Sequence, residues 1–337
     1  MSIHNKQIPL LYIFAIISLL FFIRQRLEMK TPHIPVLLAE VLDGFSKIKE
    51  GYFVDCTLGY AGHSEAMLQN YPQIQHIGID RDDEALAFSK ERLSPFLNRS
   101  RLYKGTFATT LPLLTQTPIT GVLADFGVSS LQLDKMDRGF SFESETLDMR
   151  MDSTATLSAY EVVNHYTQEK LEYILNHYGE VRSYRKVASA IVEARSKAPI
   201  TSGKALAEVI STVIPRGGKI HPATLSFQGI RIEVNNELGE IEGLLDVLEE
   251  KFRAGELNGT IVSLITFHSL EDRLVKNRYK KWATACICDA QAMRCSCGKN
   301  HQLGKMLKRK PIVATKKELK VNARSRSAKL RTFIFKG

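Results

Sequence analysis

From Gly51 onward, apolar and polar positions follow a regular beat. "GYFVDCTL" is a short apolar run that stops at Asp55, and "HSEAMLQNY" after it has helical spacing. "IQHIGID" is a second run ending at Asp80, followed by "DDEALAFSKERLS", a helix with acids in its first turn. "RLYKGTF" and "TGVLADFGVSS" predict a third and a fourth strand, the latter reaching Asp125. Strand and helix alternate, so a parallel sheet with right-handed crossovers is the economical fold.

The alternation then stops. Between about Leu133 and Pro222 the pattern is helical throughout, in "SAYEVVNHY", "QEKLEYILNHYG", "YRKVASAIVEARS" and "GKALAEVISTVI". This predicts an all-helical insertion over 133–222. Beyond it come a long amphipathic helix in "NNELGEIEGLLDVLEEKFRAGE", a fifth buried strand in "GTIVSLITFHS" and a helix in "LEDRLVKNRYKKW". A last strand falls in "AKLRTFIFK". The sheet domain is thus expected in two parts, 29–132 and 223–337, around the insertion. Residues 1–28 stand apart. Their 16-residue apolar run "IPLLYIFAIISLLFFI", flanked by Arg24 and Arg26, is short for a spanning helix, and no small-residue cleavage site follows it. It is read first as a dispensable extension ahead of Met29, second as a membrane anchor, and last as a secretion signal.

Composition changes the picture in two ways. A net charge of +10 and a pI near 9.3 favour a polyanionic partner. From Lys305 to the end the chain carries 12 Lys or Arg and one acid, Glu318. Five cysteines in 337 residues suggest a reducing, cytoplasmic setting. Four of them, Cys286, Cys288, Cys295 and Cys297, form two C-x-C pairs. These read as a reduced loop or as a four-thiolate zinc site, and no metal is assigned.

The chemistry begins at "VDCTLGYAGHS". In a parallel sheet, ligands bind at the carboxyl ends of the strands, where Asp55 with Gly59 and Gly62, Asp80, and Asp125 would converge. Asp80 lies 21 residues after Gly59, the spacing at which a second-strand carboxylate meets ribose hydroxyls. The dinucleotide fingerprint is absent, since Ala61 and Ser64 stand at its second and third glycine places. A pyrophosphate needs close backbone approach there, so NAD and FAD are disfavoured. S-adenosylmethionine has no phosphate and suits a D-x-x-x-G-x-G-like loop, which "DCTLGYAG" fits with Ala61 in place of a glycine.

Nine segments then occur in order: "HIPVLLAEVL", "VDCTLGYAGHS", "IGIDRDDEAL", "LADFGVSSLQLD", "RGFSF", "LDMRMD", "HPATLSFQGIRIEVNNEL", "TFHSLEDRLVK" and "RSRSAKLR". Together they resemble the bacterial 16S ribosomal RNA cytosine-N4 methyltransferase family of MraW type, over residues 33–331. The resemblance implies a class I (Rossmann-like) α/β methyltransferase sheet with an inserted helical substrate domain. It implies S-adenosylmethionine as cofactor, and methylation of a cytidine N4 in the decoding region of 16S rRNA within the small ribosomal subunit. Carried over residue by residue, the cofactor contacts are Ala61, Gly62, His63, Asp80, Phe107, Asp125 and Gln132. DNA is not an expected partner, membrane contact depends on residues 1–28, and a homodimer is compatible with the sequence.

Two departures stand out. Ala61 replaces the glycine usual in the family, and its methyl is tolerable if φ there is negative. "ESETLDM" lacks the Gly-Pro common before "LDMRMD".

The amine of cytosine is a poor nucleophile because its lone pair is delocalised into the ring. A site for it must orient the amine and accept its hydrogens. Asp125 and the carbonyls of "DFGV" suit that role, although Asp125 also suits a methionine amino group. Phe126 is placed to flank the base. After the fifth strand, His268 is the candidate for contact with the cytidine or its phosphate, while Ser269 reads equally as a helix cap. "SYRKVASAIVEARS", Arg231, Lys308, Arg309, Lys310, Arg324, Arg326 and Arg331 are candidate phosphate contacts. Two rivals are a DNA amino-methyltransferase and a catalytically silent RNA-binding protein. "DFGVSS" is not the Asp-Pro-Pro-Tyr-type loop of the first, and the acidic strand ends argue against the second.

Overall fold

The computed structural model describes residues 34–129, 132–133, 135–215, 221–289, 291–292 and 294–337. The expected N-terminal extension lies outside the described residues. Among those described, no helix is long and apolar enough to cross a membrane.

The expected alternation builds the sheet. Helix α1 (Leu38–Gly44) precedes β1 (Gly51–Asp55), α2 (Gly62–Asn70), β2 (Ile74–Asp80), α3 (Asp83–Arg92), β3 (Ser100–Lys104), the short α4 (Phe107–Thr110) and β4 (Ile119–Asp125). The helical region follows as α5 (Ala159–His165), α6 (Gln168–His177), α7 (Tyr184–Lys197), α8 (Gly203–Val213) and α9 (Thr224–Asn235). The chain re-enters the sheet through α10 (Glu237–Arg253), β5 (Ile261–Thr266) and α11 (Ser269–Trp282). It closes with β6 (Gly304–Met306), β7 (Ile312–Val313), α12 (Lys316–Val321) and β8 (Lys329–Phe335).

The strand order is β3-β2-β1-β4-β5-β8-β6, with β7 also paired to β8. The first five strands are mutually parallel. Strand β8 runs antiparallel to β5, β6 and β7. Chain order reverses between β1 and β4, which opens the crevice of a doubly wound sheet at their carboxyl ends.

The period of two along each strand sorts its residues onto two faces. Val54, Ile77, Val122 and Val262 pack with Leu244 and Leu248 of α10 and Val275 and Tyr279 of α11. Phe53, Ile74, Leu123 and Ile265 pack with Val41 of α1 and Leu68 of α2. With both faces covered, β5 is buried along its whole length. A third apolar cluster runs from Phe140 to Val234 and holds α5 to α9 together. This core includes Phe227, Ile230 and Val234 of α9, so the helical packing continues past the boundary expected at 222. The helices start where side chains cap them: Asp82 for α3, Ser158 for α5, Thr167 for α6 and Ser202 for α8 each accept a first-turn amide.

Candidate functional site

The first βα loop is shaped by two left-handed residues. Gly59 has φ +49 and Ala61 φ +55. The positive angle at Ala61 overturns the condition under which its methyl was expected to be free of strain, and explains why glycine suits the place. Ala61 opens α2, and Gly62 is pressed so closely against Pro35 that an added Cβ would fall 2.4 Å from its Cγ. His63 is buried, with Nε2 2.9 Å from the Val36 carbonyl, so it fixes the preceding segment to the loop.

Beneath the loop runs a buried polar chain. Ser64 Oγ donates to Asp55 Oδ2 at 2.6 Å, and the Thr57 amide donates to Asp55 Oδ1 at 3.2 Å. His76 Nε2 lies 2.9 Å from Ser64 Oγ, and His76 Nδ1 lies 2.8 Å from Ser100 Oγ. Burial, reinforced by Arg99, pushes the imidazole down to about 3, so it is neutral. Because the Ser64 hydroxyl hydrogen goes to Asp55, Ser64 accepts from His76 Nε2–H, and Ser100 donates to Nδ1. Burial pushes the Asp55 carboxyl up to about 6 against the opposing Ser64 and Thr57 bonds.

Asp80 joins two loops. Its Oδ2 accepts from the Gly59 amide at 2.7 Å and its Oδ1 from the Asp82 amide at 2.9 Å. Asp82 in turn receives Gln132 Nε2 at 2.9 Å and Arg138 Nη1 at 3.1 Å, while Gln132 Oε1 accepts from the Ser129 amide. The Gln132 amide thereby fastens the segment after β4 to the start of α3.

Asp125 ends β4, its amide held by Thr57 Oγ1 at 2.6 Å. Its Oδ1 is buried with no hydrogen-bond partner among the described residues. Burial raises this carboxyl well above its ordinary range, and the charges of Asp55 and Glu271 push the same way. Glu271, also buried, goes in the other direction. Burial alone would raise it, but His268, the Phe267 amide and Arg231 together hold it below the usual range. The two carboxyls therefore differ in proton affinity, Asp125 held high and Glu271 held low.

The turn after β5 is organised by Glu271. Its Oε2 accepts from the Phe267 amide at 2.7 Å and the His268 amide at 3.2 Å. His268 is itself the N-cap of α11 in a reciprocal capping box, which corrects the reading of Ser269 as the cap. The His268 side chain is only 8% exposed, with Nε2 3.1 Å from Glu271 Oε1. Ser269 Oγ instead donates to Glu180, between α6 and α7, which also receives Arg273 at 3.2 Å. Behind Glu271, Arg231 of α9 forms a bidentate pair with Glu237 at 2.8 and 3.0 Å.

Other expectations change. Arg231 is committed to Glu237, and Arg331 is buried against Asp272 at 2.7 Å, so neither is an open phosphate contact. Lys308, Arg309, Lys310 and Arg326 are exposed. Phe126 does not flank an open cleft: it is buried, its ring 5.8 Å from that of Phe107, which is buried as well. The ring of Phe267 lies 3.5 Å from where a Cβ on Gly127 would fall. Gly127 has φ +112, so the turn needs glycine for its backbone, while a Cβ there would only touch Phe267 at ordinary contact distance. The residues of "LDMRMD" meet the site through Asn235, whose side chain bonds the Met151 amide and the Met149 carbonyl, each at 2.8 Å. Sequence reasoning missed Phe267, Glu237 and Asn235, although all three lie inside the quoted segments.

A doubly wound sheet, a loop with left-handed Gly59 and Ala61 in place of the dinucleotide glycine pattern at its switch point, and acids at the ends of β1, β2 and β4 define a class. It is that of class I methyltransferases that use S-adenosylmethionine. The chain matches the model of the MraW methylase family over residues 30–336 and belongs to that family. It is 71% identical over 308 residues to "Ribosomal RNA small subunit methyltransferase H" of Sulfurovum sp. (strain NBC37-1), covering 91% of this chain and 99% of that protein. It is 54% identical to the protein of the same name from Wolinella succinogenes, covering 91% of this chain and 100% of that one.

Proposed function

We propose that this chain methylates N4 of a cytidine in the decoding region of 16S rRNA, acting on the small ribosomal subunit in the cytoplasm. The relatives' names support the small-subunit rRNA as substrate. The observation that carries the amine as acceptor is Asp125: a buried carboxylate oxygen without a partner among the described residues, with raised proton affinity, at the strand end beside the cofactor crevice.

The residues present fit the cofactor. Gly59, Ala61 and Gly62 pass the backbone close by, Asp80 keeps lone pairs free for ribose hydroxyls, and Asp125 has an unfilled acceptor for an ammonium or amine hydrogen. His63, Phe107 and Gln132 complete the proposed contact set by holding the loop, the end of β3 and the segment after β4. When bound, S-adenosylmethionine supplies an electrophilic methyl on a sulfonium. The chain must then orient a weakly nucleophilic amine at about 3–3.5 Å from that carbon. In this proposal Asp125 Oδ1 accepts one N4 hydrogen, which aligns the lone pair, and takes the proton that N4 sheds as the new bond forms. Phe267 offers a ring for the base, which must leave any stack to enter. His268 acts as a positioning residue, through Glu271 and the turn that holds Phe267.

The test is methyl transfer by the full chain from labelled S-adenosylmethionine to small subunits, naked 16S rRNA or DNA, followed by nucleoside analysis. The expected product is N4-methylcytidine from a ribosomal substrate, reduced at least 100-fold in Asp125→Asn and Asp125→Ala. Label in DNA alone, or methyl on a ring carbon or ribose only, would overturn the reading.

A further inference from the structure

The 283–302 segment, between Trp282 at the end of α11 and Leu303 just before β6, has no buried residue among those described. Its ends are tied by Leu303 N–H to Trp282 O at 2.7 Å and His301 N–H to Ala285 O at 3.1 Å. Ordering each residue costs about 1–2 kcal/mol of backbone entropy, and here no apolar core offsets it. A compact excursion of this length without a core needs a cross-link.

The four cysteines within it are free thiols, and they converge. Cys295 Sγ lies 3.6 Å from Cys286 Sγ, 3.6 Å from Cys297 Sγ and 4.0 Å from Cys288 Sγ, and Cys286 and Cys297 are 3.6 Å apart. All four sulfurs fall within 4.8 Å of one another. Four thiolates around one Zn²⁺ at about 2.3 Å define a tetrahedron with an edge of about 3.8 Å. The sulfur–sulfur spacings in the structure bracket that value.

The backbone around the sulfurs matches the same arrangement. The Ile287 amide, inside the first pair, donates to Cys297 Sγ at 3.4 Å, and the Ser296 amide, inside the second, donates to Cys288 Sγ at 3.4 Å. Amides aimed reciprocally at sulfur stabilise thiolate charge around a metal. His301 is turned away, its Nε2 on the Cys297 carbonyl at 2.8 Å, so the ligand set is sulfur only. Exposed Arg294 and Lys299 flank the second pair and offset part of the net negative charge of a zinc tetrathiolate.

We propose that Cys286, Cys288, Cys295 and Cys297 bind one structural Zn²⁺, which staples the loop between α11 and β6 and fixes the entry to the basic C-terminal segment. Soft thiolates in a tetrahedron select zinc over the hard cations, and a closed four-sulfur set leaves no position for catalysis.

The test uses the full chain purified under reducing conditions. Elemental analysis and native mass spectrometry should find about one zinc per chain, falling at least tenfold in Cys295→Ser and Cys297→Ser but not in Ser296→Ala. Should the serine variants fail to fold, the wild-type protein still decides. Mercurial titration of its thiols should release zinc in step with modification, and Co²⁺ exchange should give the absorption of a tetrahedral thiolate site. Less than a tenth of an equivalent of zinc after incubating the reduced protein with ZnCl₂, or a mass showing two disulfides in protein kept reduced, would overturn the proposal.

Discussion

Ala61 is held at φ +55 while its methyl is fully buried, so two opposing effects meet in one residue. The left-handed conformation costs an L-residue about 1–2 kcal/mol, against about 0.8 kcal/mol for burying one methyl group. Ala61→Gly should therefore be neutral or stabilising by up to about 1 kcal/mol, and Ala61→Val destabilising by about 2 kcal/mol or more. Urea midpoints check both, and a marked loss in the glycine variant would contradict the balance. Titration gives a second prediction at this scale. Asp55 has its folded pKa raised to about 6 from 3.8, so its contribution to stability is full below pH 3.8 and is lost as pH rises through 6. Asp55→Asn should gain on the wild type across that window, by roughly 2–3 kcal/mol at most. Asp125 is raised too, and in the role of proton acceptor proposed for it the carboxyl works only when ionised. The pH profile of kcat/KM should rise through an inflection above the ordinary carboxylate range, and the small residual rate of Asp125→Asn should lack it. The acids themselves were legible as strand ends. The angle at Ala61 and the missing partner of Asp125 were not, because both depend on what the chain packs beside them.

At the level of elements, the start of α11 is held by a dense set of side-chain contacts. One carboxylate, Glu271, completes the capping box, fixes the Phe267 amide and faces His268 and Arg231. Glu271→Ala would remove the reciprocal half of the capping box and leave the amides of Phe267 and His268 without their acceptor, a loss of about 2–4 kcal/mol by analogy with caps and broken buried pairs. Thermal unfolding checks this, and Glu271→Gln should recover part of the cap while still impairing methyl transfer. The periodicity located α11, β5 and most other elements, because long regular segments announce themselves. It did not announce β6 and β7, which span 3 and 2 residues and exist only through pairing with β8. Nor did it separate Arg231 from the exposed cations. Its partner Glu237 follows Asn236, a left-handed residue that turns α9 back into α10, and that turn is invisible in a charge count.

For the whole molecule, the relevant quantity is the field along the C-terminal segment. Lys308, Arg309 and Lys310 are exposed together beside the sheet edge formed by β6. Replacing all three with alanine should weaken binding to 16S rRNA evenly across sequence variants. It should also flatten the log–log salt dependence by about 2–3, near 0.7–0.9 for each phosphate no longer neutralised. Filter binding at several salt concentrations measures this, and an unchanged slope would place the RNA elsewhere.

The order of the strands has a further consequence, in time rather than in space. β4 pairs with β5, yet residues 126–260 must be made between them. At about 5–20 residues per second, β4 waits roughly 7–27 s with one edge unpaired while the helical region emerges and packs on itself. A ribosome that stalls within that region would leave a half-built sheet with an open apolar edge, the kind of surface on which nascent chains stick to one another.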